Sequence, residues 1–231
     1  MPFFCLPRSF DTLHSLMAFS LSRLVPRLAE RLGGPLPGHE AHLRMAPQNP
    51  SRRADLSVEA RDCRDAGVLL LLHPDEADPS VVLTVRRDHL PDHAGQISFP
   101  GGRRERGESL SDTALREAEE EINLPPASVD VLGALTPLFI PPSNFCVHPF
   151  VGHTPSPASL RPTDAEVGRI LQVPLARLLD PAARTTETRP LNGRDVDVPY
   201  YDVAGHTVWG ATAMMLAEFL AVVRDATASA E

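Results

Sequence analysis

Residues 66–73 read AGVLLLLH, a short apolar run bounded by turn formers, and this run constrains the fold more than any other stretch. A run of this length without alternation predicts a strand buried on both faces, so each side of its sheet needs a covering layer. The loop HPDEADPS leads to VVLTVRR, residues 81–87, a second strand predicted to pair with the first. Residues 97–99 form a short third strand that Pro100-Gly101-Gly102 ends. Later, VDVLGALTPLFI and VHPFVGH read as strands, DAEVGRILQVPLARLLD as a strand leading to a short helix, and WGATAMMLAEFLAVVRD as a closing amphipathic helix. Hairpin strands interrupted by two or three helices predict an α/β fold, a mixed sheet with helices on both faces.

With 231 residues the chain suits one α/β domain with extensions. Residues 19–32 place Phe19, Leu21, Leu24, Val25, Leu28 and Leu32 at helical spacing, with Pro26 marking a kink or a first turn. The following GGPLPGHEAHLRMAPQNPSRR reads as a linker or irregular arm. The expected division is an N-terminal extension over 1–60, the main domain over 61–225, and a disordered tail over 226–231. The start is mildly basic and amphipathic, which permits a weak targeting reading. The preferred reading takes Met17 as the true start, with residues 1–16 disordered or not translated.

A formal net charge of −8 repels polyanions, which argues against a nucleic-acid or acidic-membrane binder. A phosphorylated small molecule stays open, because a bound cation or a local Arg cluster reverses the sign inside one pocket. All 22 basic residues are Arg. Cys5, Cys63 and Cys146 are odd in number and far apart, suggesting neither a disulfide framework nor a zinc site, and a reducing cytoplasm is the expected setting. No apolar run approaches the roughly 20 residues of a membrane span. A homodimer is left open.

The best helix covers residues 109–123. Leu110, Ala114, Leu115, Ala118 and Ile122 make one apolar stripe, Ser109 with Asp112 gives a capping signal, Asn123 suits a left-handed terminator, and Pro125-Pro126 blocks continuation. Its last turns carry Glu117, Glu119, Glu120 and Glu121. Residues three and four apart share a face, so Glu117, Glu120 and Glu121 point one way while Glu119 turns outward. Like charges at that spacing oppose the helix by roughly 0.2–0.5 kcal/mol per pair, and at a C-terminus they also oppose the macrodipole. Two readings follow: a solvated acidic face, or oxygen ligands for a hard divalent cation, with the Gly101-Gly102 turn bringing backbone carbonyls close.

The spacing decides between them by resemblance. Gly102, Glu108, and then Arg116-Glu117-Ala118-Glu119-Glu120-Glu121-Ile122-Asn123-Leu124 resemble the Nudix box, G-x5-E-x7-R-E-U-x-E-E-x-G-U with U apolar, departing only at Asn123 for the final Gly. The resemblance implies a Nudix-like α/β/α sandwich and a hydrolase of nucleoside diphosphate derivatives that uses Mg²⁺ or Mn²⁺. It further implies Glu117, Glu120 and Glu121 as metal ligands with the Gly101 carbonyl, Glu120 as proton acceptor, Arg116 as a positioning partner in the catalytic set, and Glu108 as a brace between loop and helix.

Just upstream, VLTVRRDHLPDHAGQISFPGG resembles the signature L-L-T-x-R-[SA]-x3-R-x3-G-x3-F-P-G-G of the coenzyme A pyrophosphatase branch. Leu83, Thr84, Arg86, Gly95, Phe99, Pro100, Gly101 and Gly102 match, while Val82, Arg87 and Pro91 depart. PPSNFCVHPFVG, EVGRILQVPLARLLD and VWGATAMML are similar to that branch too, so the resemblance covers residues 66–220. It implies cleavage of coenzyme A, its acyl or oxidised forms included, to 3′,5′-ADP and 4′-phosphopantetheine. Other nucleoside diphosphate derivatives (ADP-ribose, NADH), a nucleoside triphosphate, or a binding role without turnover are the alternatives. Arg86, Arg87, Gly101 and Gly102 are the candidate substrate contacts, the two arginines being either phosphate grips or surface ion pairs. Ser143 and Asn144 are candidate hydrogen-bonders, Phe145 either a stacking ring or core, Glu166 either an extra acid or a turn cap, and His93 a brace for the signature loop.

Overall fold

The computed structural model describes residues 20–48, 55–75, 78–87, 95–163, 166–191, 193–203 and 205–228. Two helices, α1 (Leu21–Leu32) and α2 (Gly38–Leu43), precede the first strand, β1 (Arg64–His73). There follow β2 (Ser80–Arg86), β3 (Ile97–Ser98), β4 (Gly101–Arg103), α3 (Leu110–Ile122), β5 (Asp130–Ala134), β6 (Leu138–Ile140) and β7 (Phe145–His153). The chain continues with β8 (Val167–Pro174), α4 (Leu175–Leu179), β9 (Arg184–Leu191), β10 (Arg194–Val203), β11 (His206–Trp209) and α5 (Gly210–Ala228).

β1 is central, antiparallel to β2 on one side and parallel to β7 on the other. The sheet runs β3-β2-β1-β7-β5, with β4 on β1, β6 on β7 and β8 on β2. Its side chains divide as the unbroken apolar run predicts. Leu69 and Leu71 pack with Ala114, Ala118 and Ile122 of α3, whereas Leu70 and Leu72 join Leu216, Phe219 and Leu220 of α5 and Leu24 and Leu28 of α1. Each fully buried Leu contributes about 1.5–3 kcal/mol relative to exposure. The mixed sheet thus lies between helical layers, the expected α/β/α sandwich.

Several elements differ from expectation. The closing helix α5 is buried nearly all round rather than amphipathic, because α1 and α2 cover the side that the sheet leaves open. It continues to Ala228, so residues 226–228 are helix and not tail. Pro26 sits inside α1 rather than at its start. The supposed linker forms α2, and Ala41, His42 and Met45 are fully buried there. Leu24, Leu28, Leu32, Met45, Ala46 and Leu56 pack into the main core. β9, β10 and β11 form a separate antiparallel sheet in the order β11-β10-β9.

Cys63 and Cys146 form a disulfide, contrary to the expectation of unpaired thiols. The pairing is a product of register. Asp65 of β1 lies opposite Cys146 of β7, which brings Cys63 within a Cα–Cα distance of 5.7 Å, inside the range a disulfide spans. Disulfides persist mainly in oxidising compartments, so the cysteine argument for a reducing cytoplasm falls. Among the described residues no helix is long and apolar enough to cross a membrane.

Candidate active site

Three glycines bring strand, loop and helix into backbone contact. Gly102 and Gly101 of β4 lie opposite Gly67 and Val68 of β1, and Leu69 N–H donates to Pro100 O at 2.8 Å. A Cβ on Gly67 would lie 2.3 Å from Leu110 O and 3.0 Å from Ala114 N, both backbone atoms of α3. On Gly101, at φ +153°, it would lie 2.5 Å from Gly67 O, and on Gly102 2.5 Å from the Glu117 carboxyl. Gly67→Ala is therefore expected to push α3 off β1, lowering stability by about 1–3 kcal/mol as overpacking does and lowering activity with it. Thermal unfolding and turnover of the variant check this, and unchanged values for both would refute it.

Helix α3 begins as the sequence predicts. Ser109 Oγ accepts from Asp112 N–H at 3.1 Å and donates to the Asp112 carboxylate at 2.7 Å. Asn123 takes the left-handed conformation (φ 58°, ψ 40°), and Leu124 N–H donates to Ala118 O at 3.4 Å to close the helix end. Asn there preserves the terminator that a Gly would supply.

Arg116 organises the acidic cluster. Its Nε donates to Glu108 Oε1 at 2.6 Å and a terminal nitrogen donates to Glu108 Oε2 at 3.3 Å, a two-point grip across the loop. Other guanidinium contacts reach Arg103 O at 3.1 Å, Glu117 at 3.0 Å and Glu120 at 3.2 Å. Hydrogen bonding from Arg116, then from Glu105 N–H, holds the Glu108 carboxyl down at about 2. Glu108 also accepts from Thr113 Oγ1 at 2.9 Å, so it ties loop to helix as the resemblance implied.

The four glutamates separate by environment. Glu117 is half-buried against Gly102, and burial pushes its carboxyl up while the charge and hydrogen bond of Arg116 pull it down. Glu121 accepts from Gly101 N–H at 3.3 Å. Glu120 is exposed and held sideways by Arg116, and Glu119 is exposed. In this conformation, among the described residues, no three acidic, His or Cys side chains are gathered closely enough to enclose an ion.

The helix end is clasped by a segment that the sequence did not flag. Arg161 N–H donates to Ile122 O and Thr163 N–H to Glu121 O, both at 3.1 Å, and Thr163 Oγ1 donates to Glu120 O. Three residues farther on, Glu166 pairs with Arg86 at 2.5 Å, and its carbonyl accepts from Arg87 N–H. A three-residue span is at most about 10 Å, so this pair lies close to the open end of α3. Glu166 is thus the partner of a signature arginine. Nothing local to either residue signals the pairing, since it joins positions 80 apart across the β2–β8 edge.

Ser143, Asn144 and Phe145 serve the turn between β6 and β7. Arg64 donates to Ser143 O at 2.6 Å and lies 4.2 Å over the Phe145 ring, while Asn144 Nδ2 donates to Asp62 O at 3.3 Å. Phe145 is also packed on the core, the second of its two expected roles. His93 and Pro91 lie outside the described residues.

A family model described as the NUDIX domain matches residues 63–192, taking in β1, the glycine loop and the whole glutamate helix. The chain belongs to the Nudix family. It is 37% identical over 171 residues to a Photorhabdus laumondii protein named uncharacterized Nudix hydrolase NudL, covering 74% of this chain and 87% of that one. A protein of the same name from Yersinia enterocolitica is 45% identical over 103 residues, 44% of this chain and 52% of that one. Among solved structures, a MutT/nudix family protein from Enterococcus faecalis aligns at 18% identity with a TM-score of 0.49, covering 75% of this chain and 66% of that chain. The protein is accordingly a Nudix hydrolase, an enzyme of the pyrophosphatase class.

Nudix hydrolases generally use divalent metal ions, and the donor chemistry of this box suits one. All the candidate ligands are oxygens, and half-buried Glu117 faces the glycine loop with Arg116 as its cationic partner among the described residues. Glu121 lies against the same loop through Gly101. Glu120 instead points to Arg116, from which an exposed side chain is free to turn.

Proposed function

We propose that this Nudix hydrolase cleaves the pyrophosphate of coenzyme A, or of its acyl or oxidised forms, to 3′,5′-ADP and 4′-phosphopantetheine or its derivative. The observation that carries the reading is the upstream signature and its placement. Its two halves are antiparallel partners, Thr84 opposite Ser98 and Val85 opposite Ile97, with Thr84 Oγ1 and Ser98 Oγ 3.1 Å apart. Leu83, Thr84 and Arg86 thereby join Phe99, Pro100, Gly101 and Gly102 in one edge that leads into the box.

The residues take these roles in the proposal. Glu117, Glu120 and Glu121, with the Gly101 carbonyl, would hold Mg²⁺ or Mn²⁺, which supplies charge neutralisation at the diphosphate and lowers the pKa of a bound water. Glu120 accepts the proton of the attacking water, and its exposed position allows it to pass that proton to solvent. Arg116 positions Glu117 and Glu120 through one guanidinium and is held by Glu108. Arg86 grips a phosphate oxygen by exchanging its Glu166 partner for the substrate, with Arg87 beside it and the bare backbone of Gly101 and Gly102 allowing close approach.

A substrate panel with each metal tests the reading: coenzyme A, acetyl-coenzyme A, ADP-ribose, NADH and a nucleoside triphosphate. The expected result is the highest kcat/KM on coenzyme A or a derivative. Faster turnover of ADP-ribose would overturn the substrate and leave the reaction class standing.

A further inference from the structure

A second concave surface lies on the α5 side of the sheet, away from α3. It is a cleft of about 520 Å³ whose lining includes Arg44 after α2, Arg184 and Thr185 at the start of β9, Tyr201 on β10 and Arg224 on α5. None of its lining residues belongs to the glycine loop or the box helix.

Its charge is out of keeping with the rest of the chain. Acidic residues outnumber basic ones 30 to 22, yet three arginines line this one cleft. Among the described residues, Arg44, Arg184 and Arg224 have no acidic partner. Arg184 donates to Arg44 O at 3.0 Å and Arg224 to Leu179 O at 3.4 Å, which aligns two guanidiniums through backbone carbonyls without neutralising them. The one acid among the described lining residues, Asp180, faces Arg177 at 3.6 Å and accepts from Ala182 N–H at 2.9 Å. Tyr201 is 5% exposed, and its hydroxyl has no hydrogen-bond partner among the described residues. Burial pushes that hydroxyl's pKa up, while Arg224, Arg184 and Arg44 all pull it down, so all three act on one point.

Three converging cations repel one another unless an anion joins them, and guanidiniums suit the oxygens of a phosphate in particular. The volume is that of a small-molecule pocket rather than a protein interface. We propose that this cleft binds the phosphomonoester group of a small metabolite, with Arg44, Arg184 and Arg224 as its ligands and the Tyr201 hydroxyl as a further donor, at a site separate from the box. The site does not depend on which pyrophosphate the enzyme cleaves.

Calorimetric titration of the full chain in EDTA, with inorganic phosphate and with AMP, tests the proposal while keeping divalent ions from the box. The expected result is saturable one-site binding with Kd on the order of 1 mM or tighter. Arg184→Gln and Arg224→Gln should each weaken it by about tenfold. Both side chains are exposed, so the variants should keep the wild-type Tm, and their hydrolytic activity without added ligand should be unchanged. Glu121→Gln should bind as the wild type does. Equal affinity for the two probes makes the phosphate the recognised group, and tighter binding of AMP adds the nucleoside to it; both support the site. Absence of saturation at about 10 mM, equal binding by wild type and Arg variants, or loss in Glu121→Gln alone overturns it.

Discussion

Glu117→Gln and Glu121→Gln are each expected to lower kcat by about a hundredfold or more, the scale of losing one electrostatic contact to a transition state. Glu119→Gln is expected to leave kcat within error. The contrast follows from placement. Glu117 is half-buried beside Gly102 and Glu121 receives the Gly101 N–H, whereas Glu119 is exposed. Glutamine keeps the size of the side chain and removes the charge, so a loss of activity at an unchanged Tm reports on chemistry and not on folding. Calorimetry adds an independent readout. Mg²⁺ at about 100 times its Kd should stabilise the wild type by roughly 2.7 kcal/mol, and that gain should shrink in both box variants. Full activity in Glu117→Gln and Glu121→Gln would remove these residues from the site.

The box helix was legible because everything that specifies it is local. Ser109, Asp112, Asn123 and the apolar stripe lie within 15 consecutive positions, and all but Leu110 of the stripe take the expected place. The two-sided burial of β1 was legible for the same reason: an unbroken apolar run leaves no polar face. What stayed hidden depends on register or on distant partners. Gly67 reads as one more small residue in a strand, and only the packing of α3 onto it shows why a Cβ is excluded. Cys63 and Cys146 are 83 residues apart and meet through a parallel pairing that neither segment announces. The β9–β10 hairpin did leave a signal, the Asn192-Gly193 dipeptide between polar strands, with Gly193 at φ +74°. Its polar flanks lack the apolar alternation by which a half-buried strand is recognised.

Glu218→Ala is the substitution expected to cost the most stability, about 3–5 kcal/mol, because it removes one partner of a buried pair. Glu218 and His42 are both fully buried, with Nε2 2.8 Å from Oε2. The same carboxylate accepts from Gly38 N–H at 2.9 Å, Thr136 N–H at 3.1 Å and Thr136 Oγ1 at 2.7 Å. One side chain of α5 thus fastens both α2 and the segment between β5 and β6, which explains why a Pro- and Gly-rich stretch is ordered. Burial alone would push the carboxyl up, yet the hydrogen bonds from His42, Thr136 and Gly38 hold it below its ordinary 4.5. A depressed carboxylate contributes stability that is fully present above that value and is lost as pH falls through the lower folded-state pKa. The alanine variant should therefore lie well below the wild type at neutral pH, by roughly 10 °C in Tm, and the gap should narrow in acid. His42 Nδ1 already lacks a hydrogen-bond partner among the described residues, so loss of Glu218 strips the buried imidazole of its remaining one. A His42→Ala, Glu218→Ala double-mutant cycle measures this coupling directly. Additive losses from the two substitutions would show that the pair does not act as a unit, and the ordering of α2 would then rest on its apolar contacts alone.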